Sequence, residues 1–287
     1  MTGTVSIMIH VKNTNKGETM QLNNLIRPDI LAMSEYKVVE VSEDCLKLDA
    51  MESPYEYSEE LKVEFGKVLA HAPIHLYPTP FACGLPEALR ERVGISPAAD
   101  LLLGAGSDEL IRLITMLLGQ TGSTMLTVEP SFVMYRVNAE FFGMKYVGVP
   151  LNDDFTLNVD AVLSAIEANQ PQLVFIAYPN NPTGVPFPKE DVQKIIAATK
   201  GLVVIDEAYG AFSSHTFLPE AGVTENLVVL RTLSKIGFAG LRVGYAVGHP
   251  DVIRQLRKIT PPYNMNQLSL TAAKFALQCP QIGRAHV

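Results

Sequence analysis

The sequence has few cysteines, a low content of charged residues and no long apolar segment. Its 287 residues include three cysteines (Cys45, Cys83, Cys279) that are odd in number and scattered, so neither a disulfide framework nor a cysteine-based metal site is indicated. Charged residues make up 18% of the chain and the net charge is −7, without the basic patch that nucleic-acid binding requires. Because no apolar run reaches the roughly 18 residues of a membrane helix, a transmembrane protein is not indicated either.

The N-terminal region is also polar and lacks the apolar core of a secretory signal peptide. We therefore expect a cytoplasmic protein with reduced thiols, which interacts with neither membranes nor nucleic acid. Length and the 47% hydrophobic content allow a substantial core and one or two domains.

The common nucleotide-binding motifs are missing as well. The segment LVVIDEAY, residues 202–209, resembles a Walker B strand, but the chain has no G-x-x-x-x-G-K-[ST] loop to accompany it. A Rossmann G-x-G-x-x-G motif is absent, since Ser, Asp and Glu follow Gly104 and Gly106. Binding of a nucleotide through these motifs is therefore disfavoured.

From about residue 95 onward, short apolar runs alternate with amphipathic stretches. This alternation predicts an α/β domain with a mostly parallel sheet, whose strands are apolar nearly throughout because helices cover both faces. The predicted strands are 124–130, 145–151, 172–179, 202–209, 226–233 and 243–248, and the predicted helices are 107–119, 158–168, 188–200, 250–259 and 266–278. In the first helix we expect Ser107 as the N-cap and one apolar face formed by Leu110, Ile111, Ile114, Leu117 and Leu118.

Unusual polar groups stand where the apolar runs end. NNPTG follows one predicted strand at 180–184, DEAY ends another at 206–209, RTLSK ends a third at 231–235, and GAGSDE at 104–109 opens a helix. Each segment has an ordinary interpretation, as a turn or a helix cap. Because ligands bind at the carboxyl ends of parallel strands, the four segments together predict one pocket.

One ligand would use all of these groups. Pyridoxal 5′-phosphate needs a lysine amine for its aldehyde, a buried carboxylate to keep its pyridine nitrogen protonated, and an anion site for its phosphate. Lys235, Asp206 and Arg242 supply these three, and the predicted N-terminus at 107 adds backbone N–H groups. The lysine must be neutral to react, and partial burial beside a cation lowers its pKa.

The same segments resemble those of the fold type I, class I/II aminotransferases. NNPTG, DEAY and TLSK…LRVGY occur here in the order typical of that family. Further segments are similar to the histidinol-phosphate aminotransferases, a branch of the family: IRPDILAMSEYKV, LKLDAMESPY, LYPTP, GAGSDELI, PSFVMY and PPYNMNQLS. The resemblance covers about residues 24–281 and implies the fold type I architecture, a mostly parallel mixed sheet sandwiched by helices.

The resemblance implies a role for each matching residue. Lys235 would form the Schiff base and move the proton of the reaction, and Asp206 would pair with the pyridinium nitrogen. Tyr209 and Asn181 would bind the phenolic oxygen, and Phe132 would stack on the ring. The phosphate would be bound by backbone N–H groups of Ser107 and Asp108 and by the side chains of Thr232, Ser234 and Arg242.

Two further tyrosines are assigned by the resemblance alone. Tyr55 would reach across the interface of a homodimer to the partner's cofactor phosphate, and Tyr36 would lie near the phosphate of the substrate. Glu52, in the same matched segment as Tyr55, is compatible with either a structural or a site role. Two positions depart from the family pattern: the KIGFAGLR segment is one residue shorter, and Ser53 replaces the usual asparagine.

The resemblance also implies a domain organisation. We expect an N-terminal arm and part of a small domain in residues 1–70, and a large cofactor-binding domain in 71–281. The family continues into a further small-domain portion that carries a carboxylate-binding arginine, so we expect the small domain to be incomplete here. The last six residues, IGRAHV, are the translation of a common sequencing-adapter read, and we expect residues 282–287 to be an artefactual tail.

The implied reaction is transamination between L-histidinol phosphate and 2-oxoglutarate, giving imidazole acetol phosphate and glutamate in histidine biosynthesis. Within the same fold, an aromatic aminotransferase and a threonine-phosphate decarboxylase are alternatives. A third alternative is a non-catalytic pyridoxal-phosphate-binding protein, because the carboxylate-binding portion is missing. In that case the chain would bind the cofactor with little or no transamination. A separate alternative is that the chain does not fold stably.

Overall fold

The computed structural model describes residues 25–35, 45, 47–78 and 83–279. The chain divides into two compact units, residues 1–40 and residues 41–287. In the first unit, the described residues contain the short helix α1 (Pro28–Ala32), where Arg27 at the N-cap forms an ion pair with Asp29 of the first turn. Tyr36 and the predicted tail at 282–287 lie outside the described residues, and the predicted domain boundaries at 70 and 281 stay a prediction.

The second unit is built on a seven-stranded sheet. Its strands are β1 (Asp100–Gly104), β2 (Thr124–Glu129), β3 (Lys145–Pro150), β4 (Leu173–Ala177), β5 (Leu202–Asp206), β6 (Leu227–Thr232) and β7 (Gly244–Gly248). The helices described in this unit are α2 (Glu59–Ala70), α3 (Leu85–Val93), α4 (Ser107–Leu118), α5 (Met134–Phe141), α6 (Val159–Asn169), α7 (Lys189–Ala198), α8 (Pro250–Ile259) and α9 (Gln267–Gln278).

The sheet is mostly parallel, with the strand order β1-β7-β6-β5-β4-β2-β3. The pairs β2–β3, β2–β4, β4–β5 and β5–β6 are parallel, whereas β7 is antiparallel to both of its neighbours, β6 and β1. Since β1 and β6 both oppose β7, they run in the same direction. The carboxyl ends of β1, β4, β5 and β6 therefore lie at one edge of the sheet.

Helices cover both faces of the sheet and enclose two apolar clusters. Along β4 the side chains alternate: Val174 and Ile176 join one cluster, and Leu173, Phe175 and Ala177 join the other. Residues of α3, α6, α7 and α9 complete the first cluster, and residues of α4, α5 and α8 complete the second. This alternation within fully buried strands explains why the strand sequences are apolar throughout.

The predicted fold class is confirmed, and all six predicted strands and five predicted helices are present. The strand β1 was not predicted, because its apolar residues run directly into the segment GAGSDE and read as the approach to a helix. None of the helices within the described ranges has the length and apolar character that a membrane crossing would need.

One local prediction is wrong: Ser107 is the first residue of α4, and Gly106 is its N-cap. No side chain caps the helix from the N-cap position, because that residue is a glycine with φ of 84°. Instead, Glu109 in the first turn accepts a hydrogen bond from the backbone N–H of Ala105 at 2.6 Å. The predicted apolar face does form, with Leu110, Ile111 and Ile114 buried and Leu117 and Leu118 half-buried.

Candidate active site

A cavity of about 350 Å³ lies at the carboxyl edge of the sheet. Its volume falls within the range of roughly 300–1,000 Å³ that is typical of small-molecule sites. The elements that supply its walls are the ends of β4, β5 and β6, the first turns of α4 and α5, and the segment around residue 50. Ten of the predicted site residues line it: Ser107, Asp108, Phe132, Asn181, Asp206, Tyr209, Thr232, Ser234, Lys235 and Arg242.

Lys235 lies in the turn that follows β6, and its side chain is half-buried. Its Nζ donates a hydrogen bond to the carbonyl of Ala50 at 2.7 Å and lies 5.4 Å from the centre of the Tyr209 ring. Burial lowers the pKa of this amine, and the nearby carboxylates of Asp108 and Glu52 oppose that effect. A lowered pKa enlarges the neutral fraction, which is the form that acts as a nucleophile or a base.

Asp206 is the last residue of β5 and is 4% exposed. Burial raises the pKa of its carboxyl from 3.8 to about 6, although two hydrogen bonds favour the charged form. The backbone N–H of Ala208 donates to Oδ1 at 3.0 Å, and the hydroxyl of Tyr135 donates to Oδ2 at 2.8 Å. This carboxylate is therefore withdrawn from water and held in one orientation at the floor of the cavity.

The part of the cavity formed by the end of β6, Arg242 and the start of α4 contains groups that suit an anion. The hydroxyl of Thr232 lies 2.9 Å from the hydroxyl of Ser234, and Arg242 contacts Ser234 at 3.4 Å and Asp108 at 3.0 Å. Ser107 and Asp108, the first two residues of α4, also line the cavity, and a helix leaves its first N–H groups without intrahelical acceptors. Gly106 allows the close approach, because a Cβ there would overlap the Arg242 guanidinium.

Aromatic and amide groups form the remaining walls. Phe132 is half-buried and meets the ring of Tyr135 edge-on, with the centroids 5.7 Å apart. Burial, together with the Asp206 carboxylate, raises the pKa of Tyr209, so its phenol remains a hydrogen-bond donor at neutral pH. Asn181 reaches the cavity from the turn after β4.

Tyr55 is the described site candidate that the structure does not bring into this cavity. It is 67% exposed and lines a neighbouring cavity of about 600 Å³ together with residues of α2 and of the loop after Lys235. Glu52, for which the sequence allowed either a structural or a site role, does line the cavity around Lys235.

Sequence reasoning missed three residues that shape the site. Tyr135 binds Asp206 from 71 positions away, and no local signal distinguishes it from a core tyrosine. Glu207 and Arg231 form a buried ion pair at 2.7 Å directly beside Asp206 and Thr232. Both residues belong to the predicted strand-end segments. Two opposite charges at the ends of neighbouring strands could therefore have predicted this ion pair.

The set of donors and acceptors fits pyridoxal 5′-phosphate. The cavity combines a lysine amine of lowered pKa, a buried carboxylate on its floor, and an anion-binding side formed by two hydroxyls, a guanidinium and a helix N-terminus. These are the groups that an aldehyde, a pyridine nitrogen and a phosphate require.

Comparison with known proteins gives the class of the chain. The family model "Aminotransferase class I and II" matches residues 43–287. The chain therefore belongs to the class I and II aminotransferase family, which confirms the resemblance inferred from its segments.

The relatives narrow this class to one branch. The histidinol-phosphate aminotransferase of Neisseria gonorrhoeae (strain NCCP11945) is 60% identical over 260 residues, covering 90% of this chain and 72% of that protein. That of Chromobacterium violaceum is 48% identical over 259 residues, with the same 90% and 72% coverage. Among solved structures, histidinol-phosphate aminotransferase from Sinorhizobium meliloti in complex with pyridoxal-5′-phosphate matches with a TM-score of 0.75 and 27% identity, covering 83% of this chain and 65% of that one.

Proposed function

We propose that the cavity around Lys235 binds pyridoxal 5′-phosphate and that the chain transfers the amino group of L-histidinol phosphate to 2-oxoglutarate. The products are imidazole acetol phosphate and glutamate, and the reaction is a step of histidine biosynthesis. The observation that carries the proposal is the joining of Lys235, Asp206 and an anion-binding side in one cavity. The 60% identity to a histidinol-phosphate aminotransferase supports the choice of amino donor.

The cofactor, when bound, supplies an aldehyde that reacts with amines and a ring that accepts electron density. Lys235 would hold the cofactor through its amine, which condenses with an aldehyde with loss of water. Released when the substrate amine takes its place, Nζ would accept the substrate Cα proton and later donate it. Reaction with the aldehyde and acceptance of the proton both need a neutral amine, which burial favours by lowering the pKa of Lys235. A half-buried position also limits the access of water to the exchanged proton.

The Asp206 carboxylate would pair with the ring nitrogen and keep that nitrogen protonated. A cation at this position would lower the pKa of Asp206 from about 6, so the pair would be ionised at neutral pH. Tyr209 and Asn181 would donate to the phenolic oxygen, and Phe132 would stack on the ring. Backbone N–H groups of the first turn of α4 bind the phosphate, together with the side chains of Thr232, Ser234 and Arg242.

The proposal includes a homodimer in which Tyr55 completes the site of the partner subunit. Two observations support it: Tyr55 is 67% exposed, and it does not line the cavity that holds Lys235 of its own chain. Tyr36 as a contact of the substrate phosphate rests on the sequence resemblance alone. A Tyr55→Phe variant that has the same mass in solution but a higher dissociation constant for the cofactor would support the shared site.

Substrate preference tests the proposed reaction. The cofactor-loaded protein is mixed separately with L-histidinol phosphate, L-phenylalanine and O-phospho-L-threonine, and the visible absorbance of the cofactor is followed with time. We expect the fastest change with L-histidinol phosphate, its reversal by 2-oxoglutarate, and imidazole acetol phosphate as the product detected by mass spectrometry. Faster reaction of L-phenylalanine, release of carbon dioxide from O-phospho-L-threonine, or binding of the cofactor with no amino transfer would each contradict it.

A further inference from the structure

Tyr135 is a fully buried tyrosine whose hydroxyl contacts the candidate site. It lies in the first turn of α5, is 0% exposed, and donates a hydrogen bond to Asp206 Oδ2 at 2.8 Å. A buried hydroxyl needs a partner, and an ionised acceptor gives a stronger bond than a neutral one. The bond joins the helical layer on one face of the sheet to the end of the central strand β5.

The ring of Tyr135 is fixed as firmly as its hydroxyl. It stacks on Phe175 of β4 with a centroid distance of 4.6 Å and an interplanar angle of 11°. On its other side it meets Phe132 edge-on, at 5.7 Å and 86°. Tyr135 therefore contacts both the residue proposed to pair with the ring nitrogen and the residue proposed to stack on the ring face.

The Asp206 carboxylate depends on its donors because burial opposes its ionised form. Oδ1 has the N–H of Ala208 and Oδ2 has the hydroxyl of Tyr135, so one of the two described donors is lost if this hydroxyl is removed. Burial and the Asp206 charge raise the pKa of Tyr135 well above its usual value of 10, so its hydroxyl keeps its proton at neutral pH. The other charged or titratable groups that face Asp206 are Asp108 of α4, Glu207 of the β5 end, Tyr209, and Lys235 after β6.

We propose that Tyr135 is a positioning residue of the active site, which orients Asp206 toward the cofactor nitrogen through its hydroxyl and supports Phe132 through its ring. The proposal rests on the proposed function, since it assigns Tyr135 a role in cofactor binding. It requires that the hydroxyl act on Asp206 specifically, and not only on the packing of α5 against the sheet.

Tyr178 provides a matched control for the loss of a buried tyrosine hydroxyl. It is also 0% exposed and lies directly after β4, but its hydroxyl has no hydrogen-bond partner within the part of the chain that the structure describes. It packs edge-on against Phe217 rather than against a site residue. Tyr135→Phe and Tyr178→Phe therefore make the same chemical change, and only the first removes a donor from Asp206.

The first readout needs no cofactor. The carboxyl carbon of Asp206 is followed by ¹³C NMR during a pH titration of the cofactor-free protein, and its signal is assigned by its absence in Asp206→Asn. We expect Tyr135→Phe to raise the titration midpoint by about one pH unit, the equivalent of one hydrogen bond to a charged acceptor, and Tyr178→Phe to leave it unchanged. An unchanged midpoint in Tyr135→Phe would overturn the proposal, since a purely structural hydroxyl would not alter this titration.

The second readout is the dissociation constant of pyridoxal 5′-phosphate, measured by visible absorbance. We expect about a tenfold increase in Tyr135→Phe and no change in Tyr178→Phe. If the unsubstituted chain binds the cofactor and Tyr135→Phe binds it equally well, the positioning role is wrong while the proposed function stands. If the unsubstituted chain does not bind the cofactor at all, the proposed function fails, and the role of Tyr135 toward the cofactor fails with it.

Discussion

Asp206 shows how the fold sets the chemistry of a single side chain. The residue ends a strand that is buried on both faces, and its carboxyl has a pKa of about 6 in the folded protein against 3.8 ordinarily. The folded chain therefore binds a proton more tightly at this position than the unfolded chain does. By linkage, the stability that Asp206 contributes falls as the pH rises between these two values.

This gives a prediction for the cofactor-free protein. Substituting Asp206→Asn removes the titration, so the stability of the variant relative to the parent should increase on the order of 2–3 kcal/mol from below pH 4 to above pH 6. The free energy of unfolding in urea, measured for both proteins across that range, gives the difference. A difference that stays constant with pH would show that burial does not penalise this carboxylate.

A bound cofactor would have the opposite effect on Asp206, because it would favour the ionised carboxylate. With a cationic ring nitrogen bound, the ionised carboxylate gains a partner, so the Asn variant should lose cofactor affinity even where it is the more stable apoprotein. A gain in stability at the cost of binding is typical of a residue kept for function.

At the scale of secondary-structure elements, the site depends on how closely the start of α4 approaches β7. Gly244 is the first residue of β7, and a Cβ there would come within 2.6 Å of the backbone of Gly106 and Ser107. A methyl group at this position would therefore push the N-terminal turn of α4, with its proposed phosphate-binding N–H groups, away from the sheet.

We expect Gly244→Ala to lower the free energy of unfolding by roughly 1–3 kcal/mol and to weaken cofactor binding. Gly66→Ala serves as the control, because this glycine lies within α2 and a Cβ there would meet no neighbouring group within 4 Å. The control should be neutral or up to about 1 kcal/mol more stable, since alanine is the better helix former. Chemical unfolding measures the stability of both variants. If Gly244→Ala were as stable as Gly66→Ala, the close approach of α4 to β7 would be contradicted.

An ion pair between Glu207 and Arg231 joins the ends of β5 and β6. The Glu207 side chain is 0% exposed and the Arg231 side chain 18%. Glu207 also accepts hydrogen bonds from the hydroxyl of Thr216 at 2.8 Å and from the N–H of Phe217 at 2.6 Å. The pair fixes the positions of the two strand ends that carry Asp206 and Lys235.

Removing one partner of a buried pair leaves an uncompensated charge. We expect Arg231→Met to destabilise the fold by about 3–5 kcal/mol. Lys194→Met, which breaks an ion pair between Asp191 and an exposed lysine, should leave the stability nearly unchanged. Thermal unfolding of the two variants compares them directly, and a similar small effect in both would mean that the Glu207–Arg231 pair adds little.

The elements also show what the sequence could and could not predict. Strands β2 to β7 were predictable as short, mostly apolar runs, and the polar groups that follow β4, β5 and β6 marked the cavity. The strand β1 was not, because its apolar residues read as the approach to a helix, and only the pairing with β7, about 140 positions later, makes them a strand. For the same reason, the contact between Tyr135 and Asp206 could not be predicted: it arises only when α5 packs on the face of the sheet that contains Phe175.

At the scale of the whole molecule, the apolar clusters on the two faces of the sheet fix the positions of the strands and of their ends. The groups that would perform the chemistry come from distant parts of the chain, from Ser107 to Arg242, and meet only at the carboxyl edge. Exposed apolar side chains occur on the segment before α3, including Tyr55 and Tyr77, which are 67% and 79% exposed. Their exposure is consistent with the proposed homodimer.

Lys235 is the residue through which we propose that the chain binds pyridoxal 5′-phosphate. A spectroscopic titration tests this role of Lys235. The purified protein is titrated with the cofactor and its visible absorbance recorded, alongside Lys235→Ala and the control Lys258→Ala, whose lysine lies on the exposed side of α8. We expect a saturable visible band, shifted from that of the free cofactor, in the parent and in Lys258→Ala, and its loss in Lys235→Ala. The same band in Lys235→Ala, or no band in the folded parent protein, would contradict it.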